Sequence, residues 1–174
     1  MIFDVQKGEQ QYPGSSGLPE HYPTPPQSDK LLFYIQRNHN LNTVIYEINY
    51  NESNQINADH PMHAYWVKYN TGGDIEDLNY YQNKMAYGYN SSLINHNTFE
   101  FSFVSYAQLK LFIAVNHSGK YEVYCRINSQ MSVLHNIYVY AEELGVFPNV
   151  KFIELFGSDV ESNVATYQRI NLDL

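Results

Sequence analysis

Three ionisable residues stand within or at the ends of strongly apolar stretches: Arg37, Glu47 and Glu154. Carboxylates in such surroundings serve general acid–base chemistry, and beside a histidine Glu47 or Glu154 would suit a hydrolase. The plainer reading is structural. Arg37 and Glu47 lie in the two arms of a predicted hairpin, where opposite charges pair at a sheet rim. A third reading makes Arg37 or Glu47 a polar anchor at the mouth of a ligand cavity. His60-Pro61-Met62-His63 has H-x-x-H spacing, which on a helix would converge two imidazoles on a metal. Pro61 forbids that helix, and on a strand residues three apart point to opposite faces. A metal site would need a bend in the loop and distant ligands such as His21 or Glu20, and none is expected. Cys125, the single cysteine, falls at an inward strand position and reads as a small core residue, not a nucleophile. The chain has no G-x-S-x-G elbow, P-loop or dinucleotide glycine pattern. Gly72-Gly73 reads as a turn, because Glu76 and Asp77 would repel a phosphate there. Neither a catalytic residue nor a cofactor is expected. Abundant Tyr, Trp66 and many Asn side chains leave a carbohydrate-binding face as an alternative.

The elements that must position these residues are strands. In Leu31–Asn51, Leu31, Phe33 and Ile35 alternate with polar residues on one side of a turn at Asn38–Asn42, and Val44, Tyr46 and Ile48 on the other. Side chains alternate across a strand, so each arm buries one face. Met62–Asn70 carries Trp66 in a third strand. Asp74 is placed to cap a helix over Ile75–Lys84, with Ile75, Leu78, Tyr81 and Met85 at helical spacing. Alternation returns at Phe99–Phe103, at Leu109–Val115, and at Tyr121–Ile127 beyond a Ser118-Gly119 turn. Val133–Tyr140, Phe152–Gly157 and Val164–Ile170 follow, with one helical turn expected at Ala141–Leu144. Nine or ten short strands with frequent turns predict an all-β antiparallel meander, barrel-like or a sandwich. Bulky inward positions such as Phe101, Phe103, Ile113 and Val123 predict a filled interior.

At 174 residues the chain is read as one domain over 31–174 preceded by an arm at 1–30. The arm holds five of the seven prolines, so an extended, partly polyproline II course is expected. Tyr12, Leu18, His21 and Tyr22 sit among those prolines as candidate anchors. A net charge of −8 without a basic cluster argues against nucleic acid and anionic membrane as partners. The first residues, MIFDVQKGEQ, lack the apolar core of a signal peptide, and no run approaches membrane-spanning length. With one cysteine, this points to a reducing, intracellular setting. Three N-x-S sequons, at Asn51, Asn90 and Asn116, are read as chance in an Asn-rich chain.

Several segments in consistent order carry a resemblance. They are Leu32-Phe33-Tyr34-Ile35-Gln36-Arg37, Asn42-Thr43-Val44-Ile45-Tyr46-Glu47, Pro61 with Tyr65-Trp66, Ala86-Tyr87-Gly88, and Lys151-Phe152-Ile153-Glu154-Leu155-Phe156-Gly157. Together they resemble a family of small domains, known mainly from bacteria and classed as a domain of unknown function. The resemblance leaves the arm largely outside, and it implies an architecture without implying an activity. The expected function is a non-catalytic protein-interaction or structural accessory module of a larger assembly. Tyr12, Leu18, Tyr22, Arg37, Glu47 and Trp66 are its candidate binding residues, and a small-ligand or carbohydrate site is the alternative.

Overall fold

The computed structural model describes residues 22–38, 40–144 and 147–172. Eleven strands form one all-β sheet: β1 (Leu31–Arg37), β2 (Thr43–Ile48), β3 (Met62–Lys68), β4 (Asp74–Asp77), β5 (Tyr89–Asn95), β6 (Thr98–Phe103), β7 (Tyr106–Val115), β8 (Tyr121–Ile127), β9 (Gln130–Leu144), β10 (Phe147–Asp159) and β11 (Ala165–Asn171). A six-residue helix, α1 (Tyr80–Met85), lies between β4 and β5. The order β4-β3-β2-β1-β9-β8-β7-β6-β5 describes a curled half-barrel, and β10 joins the other edge of β9, with β11 beyond it.

One strand explains the curl. β9 is 15 residues long, and a strand's right-handed twist accumulates along such a length. Its first residues, Gln130–Val133, pair with β8, whereas Asn136–Val139 pair with β1 in parallel. Its opposite edge pairs with β10 from Ser132 to Leu144. Two wings, β1–β4 and β5–β8, therefore leave β9 in different directions and fold their inner faces together. Phe33 on β1 stacks on Tyr46 of β2 at 4.5 Å and meets Phe103 of β6 edge-on at 6.1 Å. Leu111, Ile113, Val123, Cys125 and Ile127 complete the interior, each with no exposed surface. Burial on this scale contributes about 1.5–3 kcal/mol per large apolar side chain. Phe101, Phe103, Ile113 and Val123 all belong to this core.

Four local expectations need correction. The sheet is not purely antiparallel, because β1 and β9 run in parallel. Ala141–Leu144 continues β9 and makes no helical turn; Val150 of β10 pairs with Ala141 and extends the ladder there. The strand predicted to reach Asn70 stops at Lys68, where a 3-10 turn at Tyr69–Thr71 follows. The helix predicted over Ile75–Lys84 is split. Asp74–Asp77 pairs with Lys68–Tyr65 as an edge strand, and the true N-cap is Asn79. Asn79 Oδ1 accepts from Gln82 N at 2.9 Å, and Gln82 Oε1 accepts from Asn79 N at 2.9 Å. This reciprocal capping box starts the helix one turn later than the acidic run suggests. The carboxylates of β4 protect an edge instead of capping a helix.

Candidate functional site

Two of the candidate residues converge on a residue that composition alone does not single out. Tyr87 follows α1 and packs on the core at the rim of the curl. Trp66 meets its ring edge-on at 5.3 Å, and Arg37 hydrogen-bonds its phenol. The Tyr87 carbonyl accepts the hydroxyl of buried Tyr46 at 2.6 Å. Burial pushes the Tyr46 and Tyr87 phenols up, the neighbouring Arg37 cation partly offsetting this at Tyr87. Trp66 Nε1 donates to Gln82 Oε1 at 3.2 Å, tying the indole to the helix cap, and Lys68 Nζ sits 4.8 Å from the indole ring. Gly88 passes so close to the Asn83 backbone that any Cβ would collide with it.

These contacts fix α1 from behind. A six-residue helix is too short to persist alone, since its nucleation cost is not recovered in one turn and a half. Buried Leu78, the capping box and the Gln82–Trp66 bond supply what the helix lacks. Its other side faces solvent: Tyr80, Tyr81 and Met85 are 67%, 74% and 69% exposed, and Ile75 on β4 is 70% exposed. The Tyr80 and Tyr81 rings meet edge-on at 5.5 Å.

Glu47 lies elsewhere. In the β1–β2 register Gln36 faces Thr43 and Leu31 faces Glu47, so Arg37 and Glu47 are at opposite ends of the hairpin and do not pair. Glu47 Oε2 instead accepts from Tyr65 Oη at 2.9 Å; burial first, and this carboxylate second, push the Tyr65 phenol up to about 12. His63 faces Glu47 across the ladder, but its Nε2 lies 3.1 Å from Asp77 Oδ1. The His60 carbonyl accepts from Asn49 Nδ2 at 2.8 Å. Among the described residues no three His, Cys, Asp or Glu side chains are grouped as metal ligands.

Glu154 on β10 is fully buried. Its Oε2 accepts from Tyr167 Oη and from Arg169 Nη2, the latter at 3.3 Å. The Arg169 guanidinium also covers the Phe152 ring at 4.0 Å, and Phe152 stacks on Tyr140 at 5.0 Å. Glu47 thus bonds to a tyrosine, and Glu154 to a tyrosine and an arginine. Tyr22, from the arm, lies over the same wing. Its Oη donates to the Arg37 carbonyl at 3.0 Å and its ring meets Tyr138 edge-on at 5.8 Å. Gln36 Nε2 donates to the Pro23 carbonyl at 3.1 Å, so the last part of the arm follows β1. Tyr12 and Leu18 lie outside the described residues.

The family described as a domain of unknown function (DUF4833) matches residues 33–169, from β1 to β11. The chain belongs to this family. No curated protein and no solved structure matches the chain. The family's span therefore covers every strand of the sheet and leaves the proline-rich arm outside. Within it, Gly88 and Gly157 each stand where the chain approaches another backbone too closely for a side chain, Gly157 against the Val133 carbonyl. No helix among the described residues is long and apolar enough to cross a membrane.

Sequence reasoning missed the exposed face of α1 and the linking role of Tyr87. Tyr81 and Met85 fit an inward helical stripe in the sequence, so their exposure carries no local signal. The Asn79-x-x-Gln82 pair does carry one, because a capping box marks a helix start.

Proposed function

We propose that this protein is a non-catalytic protein-interaction or structural accessory module of a larger assembly, and that the outer face of α1 is its principal contact surface. The observation that carries this reading is the exposure of Tyr80, Tyr81 and Met85 on a helix anchored from behind by Trp66, Gln82 and Leu78. Large apolar side chains grouped in water contribute nothing to folding there, yet each gains about 1.5–3 kcal/mol when a partner covers it. Tyrosine and methionine are enriched at interfaces for this reason. Because the helix is already fixed, little ordering cost offsets that gain. The arm is the second contact element in this reading, with Tyr12 and Leu18 as anchors and Tyr22 as its hinge on the domain. The absence of an enzymatic role is part of the proposal, supported by the structural partners of Glu47 and Glu154.

The test is affinity purification of the full chain from its native source, with mass spectrometry of what accompanies it. A Tyr80→Ser/Tyr81→Ser/Met85→Ser variant should lose the stoichiometric partner while keeping its fold, and a version lacking residues 1–21 should hold it more weakly. A solitary wild-type monomer, or a partner retained equally by all three, would overturn the reading.

A further inference from the structure

β1, β9 and β10 are buried on both faces. Toward the core, Ile35, Ile137 and Leu155 form one cross-strand row. On the other face the register aligns Gln36 of β1, Tyr138 of β9, Glu154 of β10 and Arg169 of β11. Asn136, Phe156 and Tyr167 form the next row. Tyr138, Glu154 and Phe156 are 1%, 0% and 2% exposed. A sheet face turned to water keeps solvated side chains, so near-complete burial of these three requires a cover. The described helix does not supply it, because α1 sits on the core side through Leu78 and Trp66. Every described strand belongs to the sheet itself.

The described chain that reaches this face is the end of the arm, and its contacts have a direction. The Pro23 carbonyl accepts from Gln36 on β1, and the Tyr22 ring meets Tyr138 on β9. Toward the N-terminus the chain thus steps along the row from β1 to β9, and Glu154 of β10 is next in that row. Pro25 is buried as well. Residues 1–21 join the domain at this point. We propose that they lie in cis on this face, from β9 over β10 to β11, and close it as a strap. Tethering selects them as the occupant. Attached at Tyr22, they are present at a local concentration on the order of millimolar, which a separate chain does not match. Two strand spacings are about 10 Å and a 21-residue extended chain reaches roughly 65 Å, so length does not limit the cover. The prolines have already reduced the entropy that docking would cost. The inference is independent of the α1 surface, and the outer side of a strap so placed stays open to a partner.

Photo-cross-linking of the full chain tests it, with benzoylphenylalanine in place of Leu18 or, separately, of Tyr12. From either position, adducts should fall on Tyr138, Phe156, Tyr167 or Arg169 of the same chain, with a yield independent of protein concentration. The same probes in the urea-unfolded chain should lose that pattern. Adducts between two copies, adducts scattered over the core side and α1, or a pattern unchanged by urea would each refute the strap. The α1 surface is read separately: Tyr80→Ser/Tyr81→Ser/Met85→Ser should leave these cross-links as they are, whatever it does to the partner.

Discussion

Replacing Tyr89 with phenylalanine should open the curled sheet at its rim. Tyr89 begins β5, and its ring meets Phe101 edge-on at 5.8 Å within the core. Its hydroxyl accepts from Met62 N at 2.8 Å and donates to Met62 O at 2.6 Å. β4 covers β3 only from Tyr65 to Lys68, so this one hydroxyl serves the Met62 peptide groups beyond that ladder. Tyr89→Phe keeps the ring and strands both groups. Each stranded group costs about 1–3 kcal/mol when fully buried, and water access at the half-buried rim lowers the combined cost to about 2–3 kcal/mol. Against a total stability of about 5–15 kcal/mol that loss is large. Chemical denaturation should show a lower midpoint with an unchanged m-value, and hydrogen exchange should accelerate at the Met62 amide beyond the global change. Burial of the same hydroxyl has a pH signature. Burial raises the Tyr89 phenol from 10.0 to about 12. A group whose pKa is raised by folding stabilises fully below its unfolded value and loses that contribution as pH climbs through the folded one. The wild type should therefore lose stability between pH 10 and 12, and Tyr89→Phe should lose less over that window. A stability change below about 0.5 kcal/mol with Met62 protection intact would refute the closure role assigned to this hydroxyl.

Two further perturbations probe the wing that carries β9 and β10. Glu154→Gln keeps an acceptor for Tyr167 and loses the charge pair with Arg169, which is partly solvated, so it should cost about 1 kcal/mol; Glu154→Ala strands both partners and should cost about 2–4 kcal/mol by urea denaturation. His135 lies 3.0 Å from Ser158 Oγ, and burial lowers its pKa from 6.5 to about 4. The unfolded chain therefore binds the extra proton first: stability is complete above pH 6.5 and should fall by up to about 3 kcal/mol as pH drops to 4, a slope that His135→Asn should flatten in denaturation midpoints measured across that range.

Most strands were legible because alternation is a local property. Leu31, Phe33 and Ile35, then Val44, Tyr46 and Ile48, needed only the pleat to be placed inward, and each of these but Leu31 is buried in the core. The parallel β1–β9 pair was not legible. It joins residues about a hundred positions apart, and a strand carries no mark of which distant edge it will find. Asp74–Asp77 misled because acids suit both a helix start and an edge strand, and only pairing with Lys68–Tyr65 decides between them. At the candidate site, Arg37 and Trp66 were picked for their chemistry and do share Tyr87. Opposite charge alone pairs Glu47 with Arg37, and the register does not. A turn at 38–42 sets Gln36 against Thr43 and sends Glu47 to the far end of the hairpin.

The allocation of buried polar groups bears on function more directly than any motif. Asn38 ends the β1–β9 ladder: its Nδ2 donates to the Ala141 carbonyl and its Oδ1 accepts from Ala141 N, both at 2.8 Å. The side chain thus adds one rung where the backbone has begun to turn. Thr166 Oγ1 donates to Ser132 Oγ at 2.9 Å near the point where β9 leaves β8, and Glu154 bridges β10 to β11 through Tyr167 and Arg169. A strand that changes partners along one edge leaves peptide groups and side-chain dipoles that regular ladders would satisfy, and a buried polar group without a bond costs about 1–3 kcal/mol. These residues meet that demand. Much of the polar interior is thus the consequence of branching at β9. The outer face of α1 takes no part in this allocation: Tyr80, Tyr81 and Met85 stay in water on a helix held through Trp66, Gln82 and Leu78.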